Sequence, residues 1–386
     1  MSSTLRTHRK SSRPKALPRL RTARRVDIEA LVAIENRCFK TDRLSRRRFT
    51  YLLSKGHGLF LVADIDGTVV GYALVLFHGT TALARLYSMA VDPGSQRQGI
   101  GRLLLHEAEQ RTRDMGYATL RLEVRPDNQA AIQVYRAAGY RGIGLWPDYY
   151  EDHMDALRME KQLAGGDVPS LQRVPYVAQT LEFTCGPASL MMAMHTLNPT
   201  MPLDRTLELR LWRESTLIFM MRGHGGCGPQ GLALAAWRRG FAVDVFVSQA
   251  GVPFLDSVRS ADKREVMRLV HEDFARQVQD AAIPIQVGCL SAADLSQRLA
   301  AGVVPLVLIS LYRLYGEKAP HWVVITGIDD HFVYFHDPYI DRASGKTATD
   351  CVNVPTTRSE FDRIAQYGGN RLRATILISH RTSSGA

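Results

Sequence analysis

The sequence predicts an α/β chain of the α+β kind folded as two domains, and three observations carry that reading. Apolar alternation on both sides of Asp66-Gly67, a strong two-residue turn signal, marks a β-hairpin. Strand-like and amphipathic segments then alternate as far as Gly139, with helices closed by Gly116 and Gly139. Apolar strand-like runs dominate the last third of the chain. With 386 residues, 45% of them hydrophobic, the chain is long enough for two packed cores.

In order, the spacing predicts a helix over 26–39, with Asp27 in its first turn, and a second over 45–55. Strands follow at 58–65, 68–77 and 82–91, then a helix at 99–115, a strand at 118–124, a helix at 128–138 and a strand near 155–162. The Gly-rich stretch 164–170 reads as a linker between a first domain over 20–163 and a second over 171–382. The second opens with an extended stretch, 171–179, and a helix from Cys185. Further helices are expected near 231–239, 263–281 and 292–301, and strands at 303–312, 321–327, 332–335 and 372–379.

The formal net charge of +11 is concentrated at one end. Residues 1–25 carry nine Lys or Arg and no acid, which leaves 40 bases against 38 acids elsewhere. The folded part therefore lacks the basic excess typical of nucleic-acid binding, which stays open only through the tail. Residues 1–19, with two prolines and little apolar material, read as a disordered basic tail without the features of a signal or transit peptide. The longest apolar run, 303–312, is about half a membrane span, so no membrane partner is expected. Five scattered cysteines without CxxC spacing speak against a disulfide framework and against a metal site, and place the protein in the cytoplasm.

Gln96-Arg97-Gln98-Gly99-Ile100-Gly101 lies between a strand and a helix, where glycines admit a phosphate close to the backbone and the first amides of the helix point at it. Leu104 and Gly101-Arg102-Leu103 stand where a Rossmann or a Walker motif needs other residues. Met89-Ala90-Val91-Asp92-Pro93 precedes this segment, and Leu122-Glu123-Val124-Arg125, Asn128, Tyr135 and Gly139-Tyr140 follow it. In that order they resemble the GNAT superfamily, most closely its ribosomal-protein-alanine N-acetyltransferases. The resemblance implies a fold with a mixed central sheet and acetyl-CoA as cosubstrate. It also implies that the backbone of Met89, Ala90 and Val91 pairs with the pantetheine arm, and that Arg97, Gln98, Gly99, Ile100, Gly101 and Arg102 hold the pyrophosphate. Acetyl transfer needs two proton handlers, which the resemblance places at Glu123, the base, and Tyr135, the acid. Asn128 and Tyr135, two helical turns apart, can share a face toward the thioester. The implied acceptor is a peptide or protein N-terminus, with Tyr149 and Tyr150 as candidate contacts. A small free amine is the alternative. Read singly, Tyr135 is also a core tyrosine, Glu123 a solvated strand end and Asn128 a helix N-cap.

In the second domain, Cys185 starts an apolar helix, where the helix dipole favours the thiolate. Gln179, six residues earlier, can donate to an oxyanion, and His321 opens a strand as candidate base. Counting back from the Asp329–His331 turn brings Asp337 within one residue of facing His321, close enough to orient the ring. This order resembles the papain-like cysteine peptidases that process bacteriocin leader peptides, which implies a papain-like α+β domain. The 136 residues between Cys185 and His321 are more than that family suggests. A GNAT-like part followed by a peptidase-like part is similar to a known type of bacterial fusion protein, whose C-terminal domain cleaves peptides or only binds them. Cys227-Gly228-Pro229 offers a rival nucleophile or a substrate-loop residue, while His195, His224, His331 and His336 are weaker bases.

Overall fold

The computed structural model describes residues 17–55, 58–77, 79–163, 173–217, 225–342 and 346–381. The expected linker and nearly all of the expected tail lie outside these. The chain divides into two compact units, residues 1–77 with 84–163 and residues 78–83 with 164–386.

The first unit holds β1 (Arg19–Thr22), α1 (Ile28–Cys38), α2 (Arg46–Lys55), β2 (Gly58–Ile65), β3 (Thr68–Phe77), β4 (Leu83–Val91), α3 (Ile100–Asp114), β5 (Thr119–Val124), α4 (Gln129–Ala137), β6 (Arg141–Trp146) and β7 (Ala156–Gln162). Its sheet runs β1-β2-β3-β4-β5-β7-β6. Asp66 and Gly67 both have positive φ, as the hairpin turn requires. Alternation along β2 splits the core: Leu61 and Ala63 pack with Ile100 and Leu104 of α3, whereas Phe60 and Val62 pack with Leu31, Ile34 and Phe49. In α3 the apolar residues Ile100, Leu104, Leu105 and Ala108 fall on one face. Two strands of this unit escaped the sequence reading. β1 begins at Arg19, inside the stretch expected as tail, because it pairs antiparallel with β2. β6 pairs with β7 but is mostly exposed and holds two glycines, so it shows no apolar alternation.

The second unit holds α5 (Cys185–Leu197), α6 (Arg205–Ser215), α7 (Pro229–Trp237), β8 (Phe241–Val247), α8 (Ala261–Asp280), β9 (Ile285–Val287), α9 (Ala292–Ala300), β10 (Val304–Ser310), α10 (Tyr312–Tyr315), β11 (Pro320–Ile328), β12 (Phe332–His336), β13 (Val354–Thr357), α11 (Arg358–Ile364) and β14 (Ala374–His380). The sheet order is β13-β12-β11-β10-β14-β8-β9. Leu306, Leu308, Trp322 and Val324 face the core that α5 and α7 cover, while Val307, Ile309, Val323 and Ile325 pack with α9 and α11. Tyr312, expected as the end of a strand, instead starts the one-turn α10.

The hairpin of β11 and β12 carries a bulge. Ile328 pairs Val333 and Gly327 pairs Tyr334, but Ile325 pairs Phe335 and Val324 pairs His336, so Thr326 is the extra residue. Continued one step, this register sets Asp337 opposite Val323, two residues from His321 rather than one. His321 and Val323 share a strand face, so the bulge keeps Asp337 on the side of His321.

Candidate active sites

In the first unit a cleft of about 1180 Å³ is lined by Met89 of β4, Glu123 at the end of β5, Asn128 just before α4, Tyr135 of α4, and Trp146, Tyr149 and Tyr150. Tyr135 is 7% exposed, and burial pushes its phenol up to about 12, so the ring is a neutral proton donor well beyond neutral pH. Asn128 caps α4, its Oδ1 accepting from Ala131 N at 3.1 Å. Each Glu123 oxygen faces a guanidinium: Oε2 accepts from Arg85 Nε at 2.7 Å, and Oε1 lies 2.9 Å from Arg158 Nε. Glu123 is thus a buried ion-paired carboxylate, not the solvated strand end that one reading of the sequence allowed. Arg85 also donates to the Tyr149 hydroxyl at 2.5 Å. Sequence reasoning missed both arginines and a second carboxylate in the cleft, Glu35, whose carboxyl burial pushes up despite hydrogen bonds from Leu44 N and Tyr72. Glu35 sits on the apolar face of α1, where a lone acid is the available signal.

The glycine segment is not part of that cleft's lining but forms the start of α3. Arg97 and Gly99 have positive φ, and a Cβ at Gly99 would meet nothing within 4 Å. Leu103 N bonds Gly99 O, so the helix leaves the amides of Ile100, Gly101 and Arg102 for an external acceptor. The Ile100 side chain is 2% exposed and contributes to the core, while Arg97, Gln98 and Arg102 are exposed. Met89, Ala90 and Val91 pair with β3, and the Val91 carbonyl accepts from Gln96 Nε2 and the Cys38 thiol.

In the second unit α5 begins at Cys185. A Cβ at Gly186 would lie 3.1–3.3 Å from Leu232, Trp322 and Cys227, so glycine lets the helix start press onto β11. Ser189 Oγ pins the two elements through the Trp322 carbonyl at 3.0 Å. Cys185 and His321 are close enough for each to favour the charged form of the other. His321 Nε2 lies 2.7 Å from Asp337 Oδ1, which leaves Nδ1 for the sulfur. Burial opposes charge on all three groups, yet their mutual attraction prevails: the Cys185 thiol and the Asp337 carboxyl fall below their ordinary values and His321 rises to about 10. These shifts favour a thiolate beside an imidazolium backed by a carboxylate, the arrangement an activated thiol nucleophile needs.

The remaining candidates separate cleanly. Gln179 Nε2 donates to Leu181 O at 2.9 Å, leaving one amide hydrogen for an oxyanion. Cys227 is 4% exposed and burial pushes its thiol well up, which suits a core residue. His195 bonds Met201 O. His336 receives Asn353 N at Nδ1 and faces Val174 O through Nε2, and burial holds it down at about 4, so it stays neutral. His331 lies in the exposed turn before β12, and His224 lies outside the described residues. Sequence reasoning missed Glu208, a 1% exposed carboxylate that accepts from Thr180 N, Thr180 Oγ1 and Thr184 Oγ1 and so ties down the loop before Cys185. It also missed Tyr315, whose hydroxyl donates to Asp337 Oδ2.

Residues 28–140 match the model of the acetyltransferase (GNAT) family, and residues 174–379 match that of a Peptidase_C39-like family. Over 129 residues the chain is 34% identical to the N-alpha-acetyltransferase RimI of Mycobacterium tuberculosis, a match to 33% of this chain and 80% of that one. It is 40% identical over 79 residues to the ribosomal protein bS18-alanine N-acetyltransferase of Salmonella typhimurium, covering 20% and 53%. The uncharacterized protein ML0378 of Mycobacterium leprae is 33% identical over 127 residues, 32% of this chain and 34% of that protein. The chain thus spans about a third of one relative's length and about half of another's.

Proposed function

The chain belongs to the GNAT acetyltransferase family through its first unit and to the Peptidase_C39-like family through its second, and from this we propose a bifunctional enzyme that acetylates the N-terminal amine of a peptide or protein and cleaves peptides with a cysteine nucleophile. The first unit is an acetyl-CoA-dependent N-acetyltransferase. Acetyl-CoA supplies an acetyl thioester. The open space at Gly99 and the amides of residues 100–102 suit its pyrophosphate, with the side chains of Arg97, Gln98 and Arg102 exposed beside them.

The observation that carries the acceptor chemistry is that Glu123 and Tyr135 line one cleft. Tyr135, a neutral phenol, gives its proton to the departing sulfur. Glu123 takes the amine's proton through a water, since both its oxygens lie against arginines. An α-amine suits this arrangement, because its pKa of about 7.7–8.0 leaves a useful neutral fraction where a lysine's does not. The Salmonella relative acts on a ribosomal protein's alanine, and the aromatic wall of Trp146, Tyr149 and Tyr150 supports a peptide acceptor here. In the second unit Cys185 attacks the peptide carbonyl while Gln179 with the Cys185 amide holds the oxyanion. His321, oriented by Asp337, protonates the leaving amine, and a water then hydrolyses the Cys185 thioester to free the acid and the thiol. Both activities suit the cytoplasm, where thiols stay reduced. Among the described residues no helix is long and apolar enough to cross a membrane.

Peptides incubated with the protein and acetyl-CoA test both halves, since mass spectrometry separates acetylation from cleavage. Absence of any N-terminally acetylated product would sink the acceptor assignment. A second reading, a domain that binds peptides without cutting them, draws on Gln179, whose amide is partly spent on Leu181. Labelling of Cys185 by a thiol probe at neutral pH favours hydrolysis, and absence of labelling favours recognition.

A further inference from the structure

Asp337 is 1% exposed and holds more than its histidine. Oδ1 faces His321 Nε2 at 2.7 Å and accepts from Tyr339 N at 2.8 Å, while Oδ2 accepts from the Tyr315 hydroxyl. Tyr315 lies on α10, just past β10, the strand that pairs beside His321, and α10 is closed by Gly316 at φ 77°. The Tyr315 ring meets Tyr339 edge-on at 5.5 Å between centroids, and Tyr339 in turn meets the His321 ring at 6.4 Å. Lys346 Nζ sits 3.9 Å from the centre of the Tyr315 ring.

A carboxylate held through one oxygen can swing about its Cβ–Cγ bond, and a swing of Asp337 turns Oδ1 away from the imidazole. A donor on the second oxygen prevents this. We propose that Tyr315 is a positioning residue of the thiol site, its hydroxyl fixing the plane of Asp337 so that the carboxylate orients His321 toward Cys185. The proposal rests on the reading of Cys185, His321 and Asp337 as one reactive unit. The Tyr315 hydroxyl donates to Asp337, and removing that hydroxyl alone leaves the ring contact with Tyr339 in place, so its effect passes through Asp337.

The test uses the full-length chain and iodoacetamide, with mass spectrometry following modification of Cys185 across pH 4 to 10. The reading itself requires rapid alkylation below the free-thiol pKa of about 8.5, lost in His321→Ala. If His321→Ala leaves the profile unchanged, that reading fails, whatever Tyr315 does. Given that reading, Tyr315→Phe, which removes one hydroxyl from a part-exposed ring, should move the acidic limb of the profile toward the free-thiol value by about one pH unit, a tenfold loss of rate on the limb. Tyr315→His, which retains a donor, should restore part of the shift. In Asp337→Asn, adding Tyr315→Phe should change nothing further, because the shared partner is already altered. A merely structural tyrosine would lower the melting temperature and leave the profile in place. An unshifted profile in Tyr315→Phe, or effects of the two substitutions that add, would overturn the proposal.

Discussion

Tyr135 and Glu123 differ in what holds them, and the difference separates their variants. The Tyr135 phenol is packed edge-to-face with Tyr140 at 5.7 Å and, with no charged partner among the described residues, has its pKa raised by burial. Tyr135→Phe should therefore lower acetyl-transfer kcat about 10²-fold while leaving the acetyl-CoA Kd within about twofold, because one proton donor and no packing is lost. Stopped turnover with weakened acetyl-CoA binding would instead make Tyr135 a cofactor contact. Glu123 is tied to Arg85 and Arg158, and Arg158 is itself 3% exposed. Glu123→Gln should reduce stability by about 3–5 kcal/mol along with activity, since it removes the buried negative charge that both guanidinium groups face. Chemical denaturation read alongside turnover checks this. A variant that loses activity at unchanged stability would show that the two arginines do not depend on the carboxylate.

At the scale of elements, the end of β12 is held by a neutral histidine. His336 accepts from Asn353 N and is pushed from an ordinary value near 6.5 to about 4, chiefly by burial. A depressed folded value means that its stabilising contribution is complete above about 6.5 and is lost as pH falls toward 4. Acidification across that window should cost the second unit up to about 3 kcal/mol, and His336→Phe should flatten that dependence in melts taken from pH 7 to 4. A second element-level test is Gly231→Ala in α7. Alanine ordinarily favours a helix by about 1 kcal/mol, but here its Cβ would lie 2.6 Å from the Ser215 carbonyl, so the melting temperature should fall. The same contrast explains what the sequence could disclose. The β2–β3 hairpin and the starts of α3 and α5 were legible because periodicity, turn residues and glycine placement are local. β9 was not, being three exposed residues, nor β13, which contains Pro355. α6 did carry a readable signal in its Asp204 cap with Leu207 and Leu211 buried on one face, and it was passed over. In the site, Cys185, His321 and Asp337 could be ordered from the chain, but the Thr326 bulge that sets their register could not. Tyr315 and Glu208 reach the site from other elements, where no spacing rule announces them.

For the whole molecule, each chemistry stands on its own pair of buried clusters. Tyr135 packs in a core with Ile100, Leu104 and Leu122, while Cys185 packs against one that includes Leu190, Leu232 and Trp322. Among the described residues these clusters share none, so substitutions in the two sites are expected to act independently. Cys185→Ala should therefore abolish cleavage of a peptide that the intact protein cuts and leave its acetylation rate within about twofold. Tyr135→Phe should do the reverse on the same peptide. Asp337→Asn should keep a fraction of the cleavage, because the imidazole remains as base and loses only its orientation and charge support. One time course sampled by mass spectrometry reads all three variants, since acetylated and shortened products differ in mass. If Cys185→Ala slowed acetylation as strongly as it stopped cleavage, cleavage would have to expose the amine that is acetylated, and the two activities would be successive steps on one substrate. Adding the pre-cleaved peptide distinguishes that order: restored acetylation in Cys185→Ala would establish the sequence, and continued failure would mean that the thiol supports the acetyltransferase directly, against the independence argued from the separate cores.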